Sequence, residues 1–283
     1  MSVRIIADST CDLSPELISR YGITVMPLYV SLGDESFRDG VDITAADVFR
    51  YVNGGGDLPK TAAVTAADFL DCISEVRKEH PEDEVILITI SSEFSSCYQS
   101  AVIAAESSEG VFAVDSRNLS TGFGHVVLTA AELAEEGLSA AEITEKLQEI
   151  IPLVDASFIL NRLDYLRKGG RCSAIAALGA NLLKLKPCIA VRDGKMTVVK
   201  KYRGSFVKCV EQYVRDRLSE PEQIVPHRIF ITHAAASSDA VQTADRIVRE
   251  TAPFDAITET VAGCSVSSHC GPETLGVLFI RKP

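Results

Sequence analysis

The chain has 283 residues, enough for about two domains at ~150 residues each. With 46% hydrophobic and 24% charged residues it has the composition of a folded protein, which excludes a disordered, collagen-like or disulfide-scaffold chain. A net charge of -11 argues against a nucleic-acid partner held by a broad basic surface.

The first residues, Met1-Ser2-Val3-Arg4-Ile5-Ile6-Ala7-Asp8, form a short apolar run that ends in a carboxylate, unlike a signal peptide. No run approaches the ~18 apolar residues of a membrane span, so a cytoplasmic protein is expected. The eight cysteines (Cys11, Cys72, Cys97, Cys172, Cys188, Cys209, Cys264, Cys270) are scattered without a C-x-x-C pair. They read as reduced core residues.

Residues 3–8 read as a strand. Ser14-Pro15-Glu16 then opens a helix, with Ser as N-cap and Pro at the first helical position. Residues 24–32 form a second β-branched run. Residues 44–51 and 65–78 read as helices, the latter from the spacing of Phe69, Cys72, Ile73 and Val76. Residues 85–90 are continuously apolar, as in a parallel strand buried on both faces. A helix over 95–106, a strand over 111–115 and a helix through 126–136 follow. A capping box, Ser139 with Glu142, starts a helix over 139–150. This alternation predicts a parallel-sheet, three-layer α/β domain over 1–152.

Pro152 ends that rhythm, and 153–283 reads as a second α/β domain with a mixed sheet. Its expected elements are a strand at 156–160, short helix at 163–167 and Ala/Leu-rich helix at 174–183. A hairpin at 188–200 turns at Asp193-Gly194. Then come a helix at 206–218, strand at 228–232, helix at 240–249, and strands at 257–262 and 275–281. No internal repeat is visible.

The common catalytic signatures are missing: there is no G-x-S-x-G elbow, P-loop, G-x-G-x-x-G or H-E-x-x-H. The five histidines lack metal-ligand spacing, and Gly54-Gly55-Gly56 reads as a loop. What remains are hydroxyl clusters after strands: Asp8-Ser9-Thr10, Ser91-Ser92-Glu93-Phe94-Ser95-Ser96 and Asp115-Ser116. The carboxyl ends of parallel strands line one crevice, where ligands bind, although Ser and Asp there also serve as helix caps. His269 falls in a Ser-rich turn before Gly271-Pro272, while His80, His125, His227 and His233 read as structural. Two basic stretches stand out, one over Arg167, Lys168 and Arg171 and the other over Lys195, Lys200, Lys201 and Arg203. Either suits a phosphate or an acidic partner.

Several of these pieces, in order, resemble the DegV family of bacterial fatty-acid-binding proteins that act as the binding subunit of fatty acid kinase. They are Ile6-Ala7-Asp8-Ser9-Thr10-Cys11-Asp12-Leu13, Phe37-Arg38-Asp39-Gly40, Pro59-Lys60-Thr61, Ser91-Ser92-Glu93-Phe94-Ser95-Ser96, Val114-Asp115-Ser116, Tyr165 through Arg171, and His269-Cys270-Gly271-Pro272. The resemblance implies a two-domain DegV-like fold and a carrier without catalysis of its own. It implies a buried long-chain fatty acid in place of a cofactor, with no metal. By motif match, Thr61, Ser95 and His269 hold the carboxylate. Arg171 and, more loosely, Arg203 support the phosphoryl group or contact the kinase. The implied partners are a separate fatty acid kinase subunit, an acyltransferase of phospholipid synthesis and, transiently, a membrane surface. Glu93 and Glu273 stand where the family often has glycine. They either repel the carboxylate or point outward. The aliphatic residues of 123–133 and 174–189 either line an acyl tunnel or form ordinary core.

Two other readings use the same residues. One is a serine hydrolase with Ser95 as nucleophile and His269 as base, which the missing elbow and the lack of an acid to orient the histidine weigh against. The other is a relative of small-hydroxyketone kinases, which would need phosphate and metal sites that the sequence does not display.

Overall fold

The computed structural model describes residues 2–172 and 185–283. The helix read over 174–183 lies outside them. Strands β1 (Val3–Asp8), β2 (Thr24–Met26), β6 (Glu84–Thr89) and β7 (Val111–Asp115) form a parallel sheet in the order β2-β1-β6-β7. The apolar run 24–32 does not stay in one strand. Beyond Pro27, which has no N–H to give a ladder, the chain leaves the parallel sheet. It continues as β3 (Tyr29–Leu32), which joins β4 (Glu35–Arg38) and β5 (Lys60–Ala62) in an antiparallel sheet ordered β4-β3-β5. Neither β4 nor β5 shows an alternating apolar pattern long enough to be read from sequence.

The helices start where their caps dictate. Ser14 accepts from Leu17 N ahead of α1 (Pro15–Tyr21). Capping boxes at Thr44/Asp47, Thr65/Asp68 and Ser139/Glu142 open α2 (Ala45–Asn53), α3 (Ala66–Glu79) and α6 (Ala140–Ile150). Helix α4 (Cys97–Glu106) follows β6. Helix α5 (Ser120–Glu135) begins six residues before the expected 126. Its first turns hold Ser, Thr, Gly and His, which carry no amphipathic signal because this part of the helix is buried all round.

A second, six-stranded sheet is built from β8 (Val154–Leu160), β9 (Leu185–Arg192), β10 (Lys195–Arg203), β11 (Ile224–Ala234), β12 (Ala256–Val261) and β13 (Thr274–Arg281). Its order is β10-β9-β8-β13-β11-β12, and only β11–β12 pair in parallel. Asp193 and Gly194, at φ 51° and 79°, turn the β9–β10 hairpin with the positive φ values that a two-residue loop requires. Helices α7 (Asp164–Gly169), α8 (Phe206–Arg217), α9 (Ser238–Thr251) and α10 (Cys264–Cys270) complete the described elements.

The period-2 alternation of β8, β11 and β13 divides the core. Ile159, Ile229, Ile231, Val277 and Phe279 pack under α8 and α9. Phe158, Phe230 and Leu278 point the other way and join the core of the parallel sheet. Helix α5 lies between the two sheets. It can do so because two of its positions carry no side chain. A Cβ at Gly122 would stand 2.7 Å from Ala156 Cβ, and one at Gly124 would stand 2.8 Å from the Cys11 carbonyl oxygen. His125 on the same helix donates from Nε2 to the Leu278 carbonyl (2.9 Å) and meets Phe230 edge-on at 4.9 Å. Burial lowers its pKa to about 3, so it is a neutral core residue. Seven of the eight cysteines are buried. No helix among the described residues is long and apolar enough to cross a membrane.

A methyl at Gly124 would press on the Cys11 carbonyl oxygen and the Leu13 side chain, so Gly124→Ala is expected to destabilise the fold by about 1–3 kcal/mol. Urea unfolding measures this, and an unchanged midpoint would show that α5 has room for a side chain at this position.

Candidate functional site

The hydroxyl clusters at the carboxyl edge of the parallel sheet divide into anchors and lining. Asp8 closes the end of β1. Its Oδ1 accepts from Thr10 N (3.0 Å) and the Thr10 hydroxyl, and its Oδ2 accepts from Ile90 N (2.7 Å). Desolvation still raises its pKa to about 6. Ser91 donates to the Gly194 carbonyl at 2.8 Å, Arg117 donates to the Asp193 carbonyl, and Lys195 pairs with Glu93 at 3.4 Å. These three contacts seat the β9–β10 turn on the loops of the parallel sheet. Ser116 closes a local turn with Asn118.

Helix α10 is held at its start by two carboxylates from the first half of the chain. Asp39 Oδ1 accepts from Cys264 N (2.7 Å), and Oδ2 accepts from Ser265 N (3.0 Å) and the Ser9 hydroxyl (3.1 Å). Asp12 Oδ1 accepts from Gly263 N (2.8 Å), and its other oxygen accepts from the Ser120 hydroxyl (2.5 Å). The amides at a helix start have no intrahelical partner, and here they receive buried carboxyl oxygens as acceptors. Desolvation, with Asp39 and Asp8 nearby, raises the Asp12 pKa to about 8. The segment read as a turn is therefore a helix, and His269 sits in its last turn.

Between these anchors lies a cavity of about 360 Å³, within the range of ligand pockets. Its lining brings together Thr61 from β5, Ser95 from the loop before α4, Arg171 after α7, and His269 from α10. Leu28, Ile90, Leu119, Met196 and Val266 supply apolar wall. His269 Nε2 stands 2.8 Å from Thr61 Oγ1. Its Nδ1 is buried, faces Gly169 and has no hydrogen-bond partner. A Cβ at Gly169 would lie 2.6 Å from that nitrogen, so glycine makes room for the ring. Burial first, then the Arg171 charge, lowers the His269 pKa to about 4. The ring is thus neutral at pH 7. Orphaned buried donors are rarer than orphaned acceptors, which assigns the proton to Nε2. Nε2–H then donates to Thr61 Oγ1, and the Thr61 hydroxyl hydrogen is free to donate into the cavity. The Ser95 hydroxyl donates only to Cys97 Sγ (3.2 Å), a weak acceptor that an oxygen anion displaces.

Two hydroxyl donors, a neutral imidazole and a guanidinium suit an oxygen anion with an apolar body. Arg203 is not part of this arrangement: it ends β10, exposed, away from the cavity lining. Glu93 and Glu273 do not line the cavity either. The first pairs with Lys195, and the second accepts from Asn161 Nδ2. Residues 123–133 are core of α5 and not cavity wall. Ser95 and His269 share no hydrogen bond, and no carboxylate orients the ring, so the hydrolase constellation is not assembled. No group of three or more His, Cys, Asp or Glu suited to a metal occurs among the described residues. Sequence reasoning did not find Asp12 and Asp39 as caps of α10. A cap from more than 200 residues away has no local signature.

Asp39→Asn keeps the shape but turns one acceptor into a donor facing a backbone N–H. A loss of about 1–3 kcal/mol in urea unfolding is expected, together with weaker ligand binding through a displaced His269. Full stability and full binding would remove Asp39 from this role. Asp12 gives a pH signature. Its folded pKa of about 8 lies above the unfolded value of ~3.9, so the folded state holds an extra proton, and that stability is lost as pH rises toward 8. Asp12→Asn lacks this loss. Its stability relative to the parent chain should rise between pH 5 and pH 8, and a flat difference would contradict the buried, protonated carboxyl.

The family model for DegV, described as an uncharacterised protein of the DegV family, matches residues 2–282. A DegV domain-containing protein of Clostridium acetobutylicum is 35% identical over 282 residues, covering 99% of each chain. Among solved structures, a DegV family protein of Thermus thermophilus, described by its fatty acid binding, superposes with a TM-score of 0.89 at 29% identity over 100% of both chains. A DegV lipid-binding protein of Thermotoga maritima gives 0.87 at 27% identity over 99% of both. A full-length family match, a full-length relative above 30% identity and a shared fold leave one assignment: the chain belongs to the DegV family.

Proposed function

We propose that the chain binds one long-chain fatty acid in this cavity and presents its carboxylate to a separate kinase subunit. The observation that carries the reading is the neutral His269–Thr61 pair, set beside Ser95 and Arg171 in a cavity whose remaining walls are mostly apolar. The fatty-acid binding of the Thermus relative supports the ligand class. Thr61 and Ser95 donate to the carboxylate, and His269 fixes the Thr61 hydroxyl. A buried carboxylate without such donors is costly. Each buried methylene contributes ~0.8 kcal/mol, so a long chain contributes on the order of 10 kcal/mol. The protein itself needs no cofactor for this.

Neutral donors hold the carboxylate without protonating it, so it remains a nucleophile. In the transfer, a carboxylate oxygen bonds to the γ-phosphorus of ATP, the bond to the β-phosphate oxygen breaks, and ADP leaves. Arg171 stands where it meets the new phosphoryl charge. Arg203 and the basic face of β10 contact the kinase. The acyl phosphate then passes to an acyltransferase of phospholipid synthesis, with transient membrane-surface contact, in the cytoplasm. Residues 1–152 and 153–283 are the two domains, and both contribute residues to the cavity.

Native mass spectrometry of the purified chain, followed by organic extraction, should find one long-chain fatty acid per chain. Thr61→Val and Ser95→Ala should each weaken fatty-acid binding by about tenfold, in line with ~1.5 kcal/mol for a hydrogen bond to a charged group. Arg171→Ala should retain lipid and lose turnover with a kinase subunit and ATP. A chain that is purified empty and takes up no added fatty acid would sink the proposal.

A further inference from the structure

Away from this cavity, two clefts meet at Leu153 and Arg281, which line both. One, of about 340 Å³, is walled by Ile150, Val225 and Ile280. Its cation, Arg228, is already matched by a two-pronged pair to Glu132 at 2.7 Å on each side. The other, of about 280 Å³, is lined by Arg192, Arg217, Arg281 and Lys282 against a single carboxylate, Asp155. Asp155 is nearly buried, at 7% side-chain exposure, and accepts from Arg217 and from Arg281 Nε (2.6 Å). Arg217 Nε is buried and has no hydrogen-bond partner. No ion pair engages Arg192 or Lys282 among the described residues. Four cations against one carboxylate leave an excess of three positive charges in a chain whose net charge is -11.

We propose that this double cleft is a second ligand site, for an amphiphilic phosphomonoester. The phosphate sits among Arg192, Arg217, Arg281 and Lys282, and the apolar chain crosses Leu153 into the cleft of Ile150, Val225 and Ile280. The charge selects the head group. A carboxylate brings one negative charge and two oxygens, whereas a phosphomonoester brings close to two charges and three acceptor oxygens, which guanidinium forks match. The paired Arg217 and Arg281 are held in place by Asp155, so little side-chain entropy is lost when the anion arrives. The apolar half selects against free phosphate, which gains nothing from Val225 or Ile280. None of these cleft residues lines the first cavity.

Isothermal titration of the full chain with octyl phosphate and with inorganic phosphate tests this. Octyl phosphate should bind at least about tenfold more tightly, a margin that two buried methylenes supply. The double variant Arg192→Gln/Lys282→Gln changes only exposed side chains and should weaken octyl phosphate by about tenfold. Val225→Ser should weaken octyl phosphate but not inorganic phosphate. A chain loaded beforehand with stearate should bind both anions as the unloaded chain does. The proposal fails if the parent chain binds neither anion, if the two bind equally, or if the double variant binds as the parent does. It fails also if stearate loading abolishes octyl phosphate binding, since the ligand would then occupy the first cavity.

Discussion

Two carboxylates at the start of one short helix hold the site together. Asp39 and Asp12 come from the first 40 residues, and the amides they accept, at Gly263, Cys264 and Ser265, come from the last 25. Seven residues of helix are too few to be stable alone, so α10 depends on this cap and on packing against its neighbours. His269 is carried in its last turn, and Thr61, its partner, is on a strand of the three-stranded sheet. The His269–Thr61 contact therefore exists only when both halves of the chain are in register. Capping and ligand geometry are the same constraint seen at opposite ends of one helix.

The same logic explains why so much polarity is tolerated in the interior. Asp8, Asp12 and Asp39 are each within 6% of full burial, a costly position for a charge. The cost is offset in two ways. Every carboxyl group accepts at least two hydrogen bonds, and burial pushes the pKa of Asp8 and, further, of Asp12 upward, so that Asp12 tends to keep a proton. His269 takes the opposite route, losing its proton to burial. The cavity thus meets a ligand with neutral donors and one exposed guanidinium, and a carboxylate bound there keeps its own charge.

What was legible in the sequence follows from range. The capping box at Ser139 and the Asp193-Gly194 turn are local devices, and the elements begin where those residues say; the helices at 44 and 65 were read as helices, while their boxes, closed by Asp47 and Asp68, emerge only in the structure. The central strands β1 and β6 showed as apolar runs because they are buried on both faces. The early turns of α5 were not legible, because a helix wedged between two sheets needs Gly122 and Gly124 more than it needs an amphipathic stripe. Strands β4 and β5 were not legible because they are short and pair only with β3. Thr61, Ser95, Arg171 and His269 were each nameable from motifs, but their convergence is a property of the fold. The motif around His269 also concealed a helix, since Ser-rich sequence reads as a turn unless its amides are known to have buried acceptors.

The position of α5 turns these separate features into one machine part. Its first turn supplies Ser120 to Asp12, its glycines let it touch both the Cys11 loop and β8, and Leu119 just ahead of it forms cavity wall. A shift of α5 toward either sheet would close one glycine contact and open the other. It would also move Leu119 against the cavity and draw Ser120 from the carboxylate that caps α10. Close packing leaves few intermediate positions for such a helix. The cavity wall at Leu119 and the helix that bears His269 are therefore joined through the start of α5 and one buried hydroxyl–carboxyl hydrogen bond.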